Sequence, residues 1–114
     1  MTPKAFETMV LGFAETEAGT SYGKPSFKIG GKFLTRIRTD DASAVVYVDH
    51  IDRRDMLLEV DPEVFHITDH YRSYPIVLAR LAKVDKAWLE AALRDRWRKL
   101  ASKAAVKAFD AKST

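Results

Sequence analysis

The sequence predicts an α+β fold in a single domain (residues 1–114), with helices packed on one mostly antiparallel five-stranded sheet. Three observations lead to this prediction. Apolar residues recur at helical spacing near both ends of the chain. Between them lie a trio and a pair of short β-rich runs, each followed by a helical pattern. A double glycine, Gly30-Gly31, marks a hairpin inside the trio. The predicted order is α-β-β-β-α-β-β-α, and 114 residues suffice for one hydrophobic core.

The first helix is predicted over residues 3–16. Thr2 is a suitable N-cap, and Pro3 fits the first helical turn, where its missing N–H group costs nothing. Residues 18–21 are expected to end the helix as a loop. The apolar positions at helical spacing, which we expect to face the core, are Phe6, Met9, Val10 and Phe13.

The hairpin is predicted to join strands 25–29 and 33–38, and its register follows from the apolar pattern. A strict two-residue loop would place Phe27 opposite Leu34 and Ile29 opposite Lys32. A shift by one residue, with a bulge near the glycines, makes one face apolar, and we therefore favour it. That face would carry Phe27, Ile29, Phe33, Thr35 and Ile37. The outward face would carry Lys28, Leu34, Arg36 and Arg38.

The middle of the chain reads as strand, helix, strand, loop and strand. Residues 44–48 are apolar enough for a central strand. Asp52 is predicted to cap a helix over 53–60, with Asp55 as the capping-box acid. The fourth and fifth strands are expected at 64–67 and 76–81, and a polar, tyrosine-bearing loop, 68–75, joins them.

The last helix is predicted to begin after Asp85, a suitable N-cap. Its buried stripe is predicted to comprise Leu89, Leu93, Trp97 and Leu100. Residues 103–114 are expected either to extend the helix weakly or to fray as a basic tail.

Composition excludes several classes of function. The chain has no cysteine, which excludes disulfides and thiolate catalysis. It shows neither a signal-peptide pattern nor an apolar run near the roughly 20 residues of a membrane span, so we expect a cytoplasmic protein without a membrane partner. The net charge is +3, and the basic excess lies in residues 83–114. That excess fits either a solvated helix face with a lysine-rich tail or a surface for a polyanion.

Two blocks of sequence resemble the MmcQ/YjbR family. The first is GTSYGKPSFKIGGKF (residues 19–33), and the second is DPEVFHITDHYRSYPIVLARL (residues 61–81). The terminal helix with Trp97 also looks like that family. The resemblance implies the topology given above, which has been compared with secretion chaperones and with a double-wing DNA-binding domain. It also implies a DNA-binding label without a family-wide catalytic motif or cofactor. Asp69 stands where relatives often carry proline, and its charge makes that loop less attractive to phosphate.

Catalytic and metal-binding patterns are weak. His66 and His70 have the spacing of a zinc pair on a helix, but here one falls in a predicted strand and the other in a loop. The cluster of Asp49, His50 and Asp52 lacks a nucleophile elbow, and helix capping by Asp52 explains it. We therefore expect a non-enzymatic protein without a metal or cofactor.

The candidate nucleic-acid-binding residues lie on the hairpin and on the tyrosine-bearing loop. Lysine and arginine would neutralise phosphates, and tyrosines would stack on bases or donate to phosphate. The hairpin candidates are Lys24, Lys28, Lys32, Arg36 and Arg38. The loop candidates are Tyr71, Arg72 and Tyr74. Alternatively, Tyr22, Tyr71 and Tyr74 pin loops to the core.

The leading interpretation is therefore a protein that binds DNA through phosphate contacts with low sequence preference. A protein partner, bound by an interaction or chaperone-like module, is the alternative. A third hypothesis is a small-molecule site between His66, His70 and Tyr71. The sequence leaves the oligomeric state open.

Overall fold

Seven strands in two antiparallel sheets and four α-helices make up the computed structural model, which describes residues 1–21 and 23–112. The helices are α1 (Pro3–Leu11), α2 (Ile51–Val60), α3 (Lys86–Leu100) and α4 (Lys103–Lys112). The strands are β1 (Thr16–Ser21), β2 (Lys24–Ile29), β3 (Lys32–Thr35), β4 (Ile37–Arg38), β5 (Ser43–Tyr47), β6 (Phe65–His66) and β7 (Ile76–Arg80). The α+β class is confirmed.

The strands form two sheets rather than the single sheet predicted from sequence. The first has the order β1-β2-β3 and the second the order β4-β5-β7-β6. The chain passes from one to the other at Arg36, which separates β3 from β4. There the Val45 N–H donates to the Arg36 carbonyl at 2.9 Å, and the Thr35 hydroxyl donates to the Val45 carbonyl at 2.6 Å. These bonds hold the bend against β5, and the strand predicted over 33–38 is therefore divided.

The first helix is shorter than predicted because the chain reverses after it. Thr2 caps α1 as expected, with its hydroxyl accepting the Ala5 N–H at 3.1 Å. The helix ends at Leu11, and Glu15 adopts a left-handed φ of 67° that turns the chain. Residues 16–21, predicted as helix end and loop, then pair with β2 as an edge strand. The predicted stripe is largely inside: Phe6, Val10 and Phe13 are buried.

The hairpin register differs from the prediction. Gly30 and Gly31 have φ values of 57° and 80°, the positive pair of a two-residue type I′ turn, so Ile29 pairs directly with Lys32. The bulge lies away from the glycines. Lys28 pairs with Phe33 and Phe27 pairs with Thr35, so Leu34 is the extra residue between them. Leu34, at the bulge, was predicted to point outward and is instead buried in the main core. Phe33, predicted to join that core, packs in a second cluster.

Two hydrophobic clusters lie on opposite faces of the second sheet. The main core includes Val46 and Val77 with residues of α1, α3 and the first sheet. The smaller cluster consists of Val45, Tyr71, Ile76 and Leu78. Successive residues of β5 and β7 belong to one cluster and then to the other, because neighbouring side chains of a strand point to opposite faces of the sheet. The central position predicted for the strand at 44–48 is thus confirmed.

The predicted cap of α2 is wrong, and that of α3 is confirmed. α2 begins at Ile51 after His50, which makes no side-chain cap bond, so Asp52 lies inside the first turn. Asp55 accepts a hydrogen bond from Arg54 at 3.0 Å rather than closing a capping box. In α3, the Asp85 carboxylate accepts the Trp88 N–H at 2.9 Å.

The C-terminal segment is neither a continuation of α3 nor frayed through residue 112. α3 ends at Leu100, and Ser102 caps the separate helix α4 by accepting the Ala105 N–H at 3.1 Å. The Glu15 carboxylate accepts two bonds from Ser102, from its N–H at 2.8 Å and its hydroxyl at 2.7 Å. Phe109 of α4 packs edge-on against the Trp97 ring at 5.5 Å. Ser113 and Thr114 lie outside the described residues.

Within the part that the structure describes, no helix combines the length and apolar character needed to cross a membrane.

Candidate nucleic-acid interface

A groove lies between the first sheet and the 3₁₀ turn at Asp69–Tyr71 with the loop after it. We call it the tyrosine groove, and its volume is about 530 Å³. Its apolar lining is Phe33, Val45 and Ile76, and its polar lining is Ser21, Lys24, Arg36, Tyr47, His70, Tyr71 and Tyr74. No aspartate or glutamate occurs among these described lining residues, so the groove is a cationic and aromatic surface.

Strand alternation and the Arg36 bend place these side chains. Val45 and Tyr47 occupy alternate positions of β5, on the face opposite the main core, and Ile76 lies beside them on β7. Phe33 approaches from β3 and packs edge-on against Tyr47, with ring centroids 6.1 Å apart. The groove floor is therefore built from both sheets.

A buried arginine, Arg54, fixes the loop that forms the groove wall. Arg54 lies on α2, and its side chain is 6% exposed. One guanidinium nitrogen, Nη1, donates to the carbonyls of Tyr71 at 3.3 Å, Arg72 at 2.8 Å and Tyr74 at 2.8 Å. Another nitrogen, Nη2, pairs with Asp55 at 3.0 Å. The Tyr71 and Tyr74 carbonyls also accept backbone N–H groups, from Tyr74 at 3.0 Å and from Ile76 at 2.8 Å, so Arg54 is their second donor and ties the loop to α2.

Sequence reasoning missed Arg54, although the sequence carries a signal for it. Arg54, Leu57 and Leu58 lie three and four residues apart, which is the spacing of one helix face. Leu57 is buried and Leu58 is partly buried in the main core. An arginine on the inward stripe of a short helix needs partners, because an unpaired buried charge is costly.

Tyr71 pins the loop, and Arg36 connects that loop to the hairpin. The Tyr71 ring is buried, and its hydroxyl accepts a hydrogen bond from Arg36 Nη2 at 3.0 Å. Because this partner is a hydroxyl group and not a carboxylate, the bond to Tyr71 does not offset the positive charge of Arg36 at the groove. The loop-pinning role weighed for Tyr71 is thereby observed, whereas Tyr74 is half exposed. Tyr22, for which the same role was weighed, lies outside the described residues.

The structure brings four of the eight candidate residues together. Lys24, Arg36, Tyr71 and Tyr74 all line the tyrosine groove. Lys28 on β2 is half-buried, and Lys32 is exposed at the hairpin turn. Both lie outside the groove lining.

The two remaining candidates, Arg38 and Arg72, are paired with acids. Arg38 is 18% exposed and lies 3.7 Å from Asp40 and 3.5 Å from Asp41. Arg72 forms an ion pair with Asp69, the acid singled out in that loop. The predicted outward row of Lys28, Leu34, Arg36 and Arg38 is therefore wrong, because the bulge buries Leu34 and the bend carries Arg38 into the second sheet.

Ser43, His66 and Asp41 meet in space but lack the geometry of a catalytic relay. His66 Nε2 lies 2.9 Å from the Ser43 hydroxyl and 3.5 Å from the Asp41 carboxylate. A relay needs the serine and the acid on different ring nitrogens. Burial lowers the pKa of His66, as do Arg80 and Arg38, whereas Asp41 opposes the change. The arrangement is consistent with a neutral histidine bonded to a buried serine.

The two histidines considered as a pair have separate surroundings. His70 stacks edge-on against Tyr71, with centroids 4.8 Å apart, and lines the groove, whereas His66 does not. A small-molecule site between His66, His70 and Tyr71 is therefore not formed as predicted. In residues 1–21 and 23–112, no three metal-ligating His, Asp or Glu side chains cluster.

A second cavity, of about 510 Å³, lies on α3 and shares Tyr47 with the tyrosine groove. Its charged lining is mixed, with Arg53, Arg96, Arg98 and Lys99 alongside Asp49 and Asp95. The Arg96 guanidinium lies 4.0 Å from the centre of the Tyr47 ring. One face of that ring is consequently covered by protein.

Comparison with known families identifies the chain. The family model described as YjbR matches residues 11–99, which include both resembling blocks and the whole groove lining. Neither the comparison with curated proteins nor that with solved structures gave a match. The matched range ends before α4 begins. Because the match spans most of the 114 residues, the chain belongs to the YjbR family.

Proposed function

We propose that the protein is a non-enzymatic cytoplasmic DNA-binding protein that holds its ligand in the tyrosine groove. The observation that carries the proposal is the groove's lining, which combines Lys24 and Arg36 with three tyrosines and lacks a carboxylate among the described residues. Basic side chains bind the phosphate backbone, and aromatic rings beside them contact sugar and base. Phosphate contacts carry no sequence information, so we expect low sequence preference.

The two cations of the groove differ from several arginines elsewhere on the surface. Lys24 and Arg36 form no ion pair with any described residue, whereas Arg38, Arg72 and Arg98 do. A cation already paired with a carboxylate must lose that partner before it neutralises phosphate. Lys32, exposed at the hairpin turn outside the groove lining, is a candidate for a further phosphate contact.

Binding to a labelled duplex and to its labelled single strand, measured across a salt series, tests this function. The variant is Lys24→Gln with Arg36→Gln. We expect the slope of log K against log salt to fall by about 0.7–0.9 for each phosphate contact removed. The matched control is Lys4→Gln with Lys86→Gln, two exposed lysines outside the groove. Absence of binding to both ligands at low salt, or equal slopes for both variants, contradicts the proposal.

A protein-binding role is the second candidate, and the edge strand β1 is the observation that favours it. β1 pairs with β2 on one side, and in residues 1–21 and 23–112 no strand pairs with its other side. Such an edge can accept an extended segment of a partner through main-chain hydrogen bonds. A pull-down after nuclease treatment tests this role. Recovery of one protein in stoichiometric amount, and its loss in the variant Ala18→Pro, would support protein binding over DNA binding.

A further inference from the structure

We infer that the tyrosine groove takes an unpaired nucleotide, so that the ligand is a single strand rather than a duplex. The inference rests on the proposed function and specifies which form of nucleic acid that site recognises. It follows from the shape and floor of the groove as well as from its charge.

The floor of the groove offers an apolar surface to a ligand. Phe33 is partly buried and lines this floor, and Val45 and Ile76, which are themselves buried, lie beneath it. A duplex presents phosphates on its ridges and base edges in its grooves, while its flat base faces are stacked against one another. Only an unpaired base can bring a flat apolar face into this cleft while its phosphates remain at the cationic rim. The groove volume of about 530 Å³ falls within the usual range for small-molecule sites.

Tyr74 is the ring positioned to stack on that base. Its side chain is 50% exposed, while the Tyr71 ring is buried and one face of the Tyr47 ring is covered by Arg96. Its main chain is held in place, because the Tyr74 carbonyl accepts a bond from Arg54 at 2.8 Å. A stacking platform with a fixed backbone loses little freedom on binding.

Arg36 and Lys24 then meet the phosphates that flank the base. Arg36 donates one N–H to the Tyr71 hydroxyl at 3.0 Å, which orients its guanidinium toward the groove wall. A guanidinium has five N–H groups, so donors remain for a phosphate oxygen. Lys24, on β2, carries a flexible cation at the same groove.

Fluorescence anisotropy with a mixed-sequence 20-nucleotide strand and the matching duplex, at one salt concentration, tests the inference. We expect the single strand to bind about tenfold more tightly, because a stacked base adds a contact that the duplex cannot make. The duplex has the higher charge density, so electrostatic attraction alone would give it the higher affinity. Equal affinity or a preference for the duplex overturns the inference but leaves the proposed function standing. Failure of both ligands to bind overturns both.

Substitution of Tyr74 separates stacking from charge. Tyr74→Ala should weaken single-strand binding by about tenfold and change the salt slope little. Tyr74→Phe, which keeps the ring, should recover most of that loss. Val60→Ala, at an exposed position of α2, serves as the control with wild-type affinity. An unchanged affinity for Tyr74→Ala contradicts the inference.

Competition by a free nucleoside monophosphate distinguishes the two sources of an unpaired nucleotide. A strand carries many phosphates and should bind more tightly than a monomer by at least about tenfold, because each added phosphate contact releases counterions. A monophosphate that competes as well as the 20-nucleotide strand would show that the groove is a site for a free nucleotide instead. RNA and DNA strands tested in parallel identify the sugar.

Discussion

At the scale of the residue, Arg54 and the bulge decide how the candidate site is built. Arg54 is one buried cation whose bonds to three carbonyls give an irregular loop its conformation. The bulge between Phe27 and Lys28 inverts the expected side of Leu34. The position of the bulge does not follow from hydrophobic pattern alone, because a pattern gives the period of side chains along a strand but not the position of an extra residue. The helix-face spacing indicates that Arg54 is inward, but it does not identify the loop carbonyls that Arg54 binds.

Arg54→Met should lower the free energy of unfolding by about 2–3 kcal/mol, because three loop carbonyls and Asp55 lose a charged donor. The same change at Arg53, exposed one residue earlier on α2, should stay within about 0.5 kcal/mol of wild type. Urea unfolding of both variants measures the difference. Equal stability of Arg54→Met and Arg53→Met would mean that the loop does not depend on this arginine.

At the scale of the element, local sequence determines turns and caps, and pairing partners determine strand boundaries. Thr2 and Asp85 cap their helices as expected, because a cap is an interaction within four residues. The edge strand β1 was missed, because its residues are polar and small and become a strand only by pairing with β2. The division of β3 from β4 likewise depends on β5, which lies further along the chain.

The hairpin turn offers a test at this scale. Gly31→Ala should lower the free energy of unfolding by about 1–2 kcal/mol, because its φ of 80° places the residue in the left-handed region. Gly19→Ala in β1 has no such φ, and the nearest heavy atom to its added Cβ is Lys28 Cδ at 3.8 Å. We therefore expect thermal unfolding to separate the two alanine variants, and equal Tm values would contradict the turn assignment.

At the scale of the whole molecule, part of the C-terminal basic excess holds α4 to the body of the protein. Arg98 binds the Asp110 carboxylate at 2.8 Å. The Arg94 guanidinium lies 3.9 Å from the centre of the Phe13 ring and 4.1 Å from that of Phe109. Burial lowers the pKa of Arg94. These two arginines are therefore engaged in packing α4 against the body of the protein.

The docking of α4 should weaken in acid. The hydrogen bonds from the Ser102 N–H and hydroxyl lower the pKa of Glu15. A group with a lowered folded-state pKa contributes stability above its unfolded pKa and loses it as the pH falls through the folded value. Glu15→Gln should therefore lower the Tm at pH 7, and its difference from wild type should shrink as the pH falls below the ordinary glutamate pKa and the carboxylate is protonated. Thermal unfolding across this range, with Glu17→Gln as the exposed control, measures the effect. A difference independent of pH contradicts it.

The sequence alone was enough to predict the α+β class, the hairpin glycines, the caps at Thr2 and Asp85, the central position of β5 and the family. These depend on contacts close in the chain or on the period of apolar residues. The sequence also pointed to the hairpin and the tyrosine loop as candidate surfaces. Tertiary contacts determine the division into two sheets, the burial of Leu34 and the composition of the tyrosine groove, where Lys24, Arg36 and Tyr74 lie together. Those features depend on bonds between residues far apart in the chain, such as Arg54 with the loop and Arg36 with Tyr71.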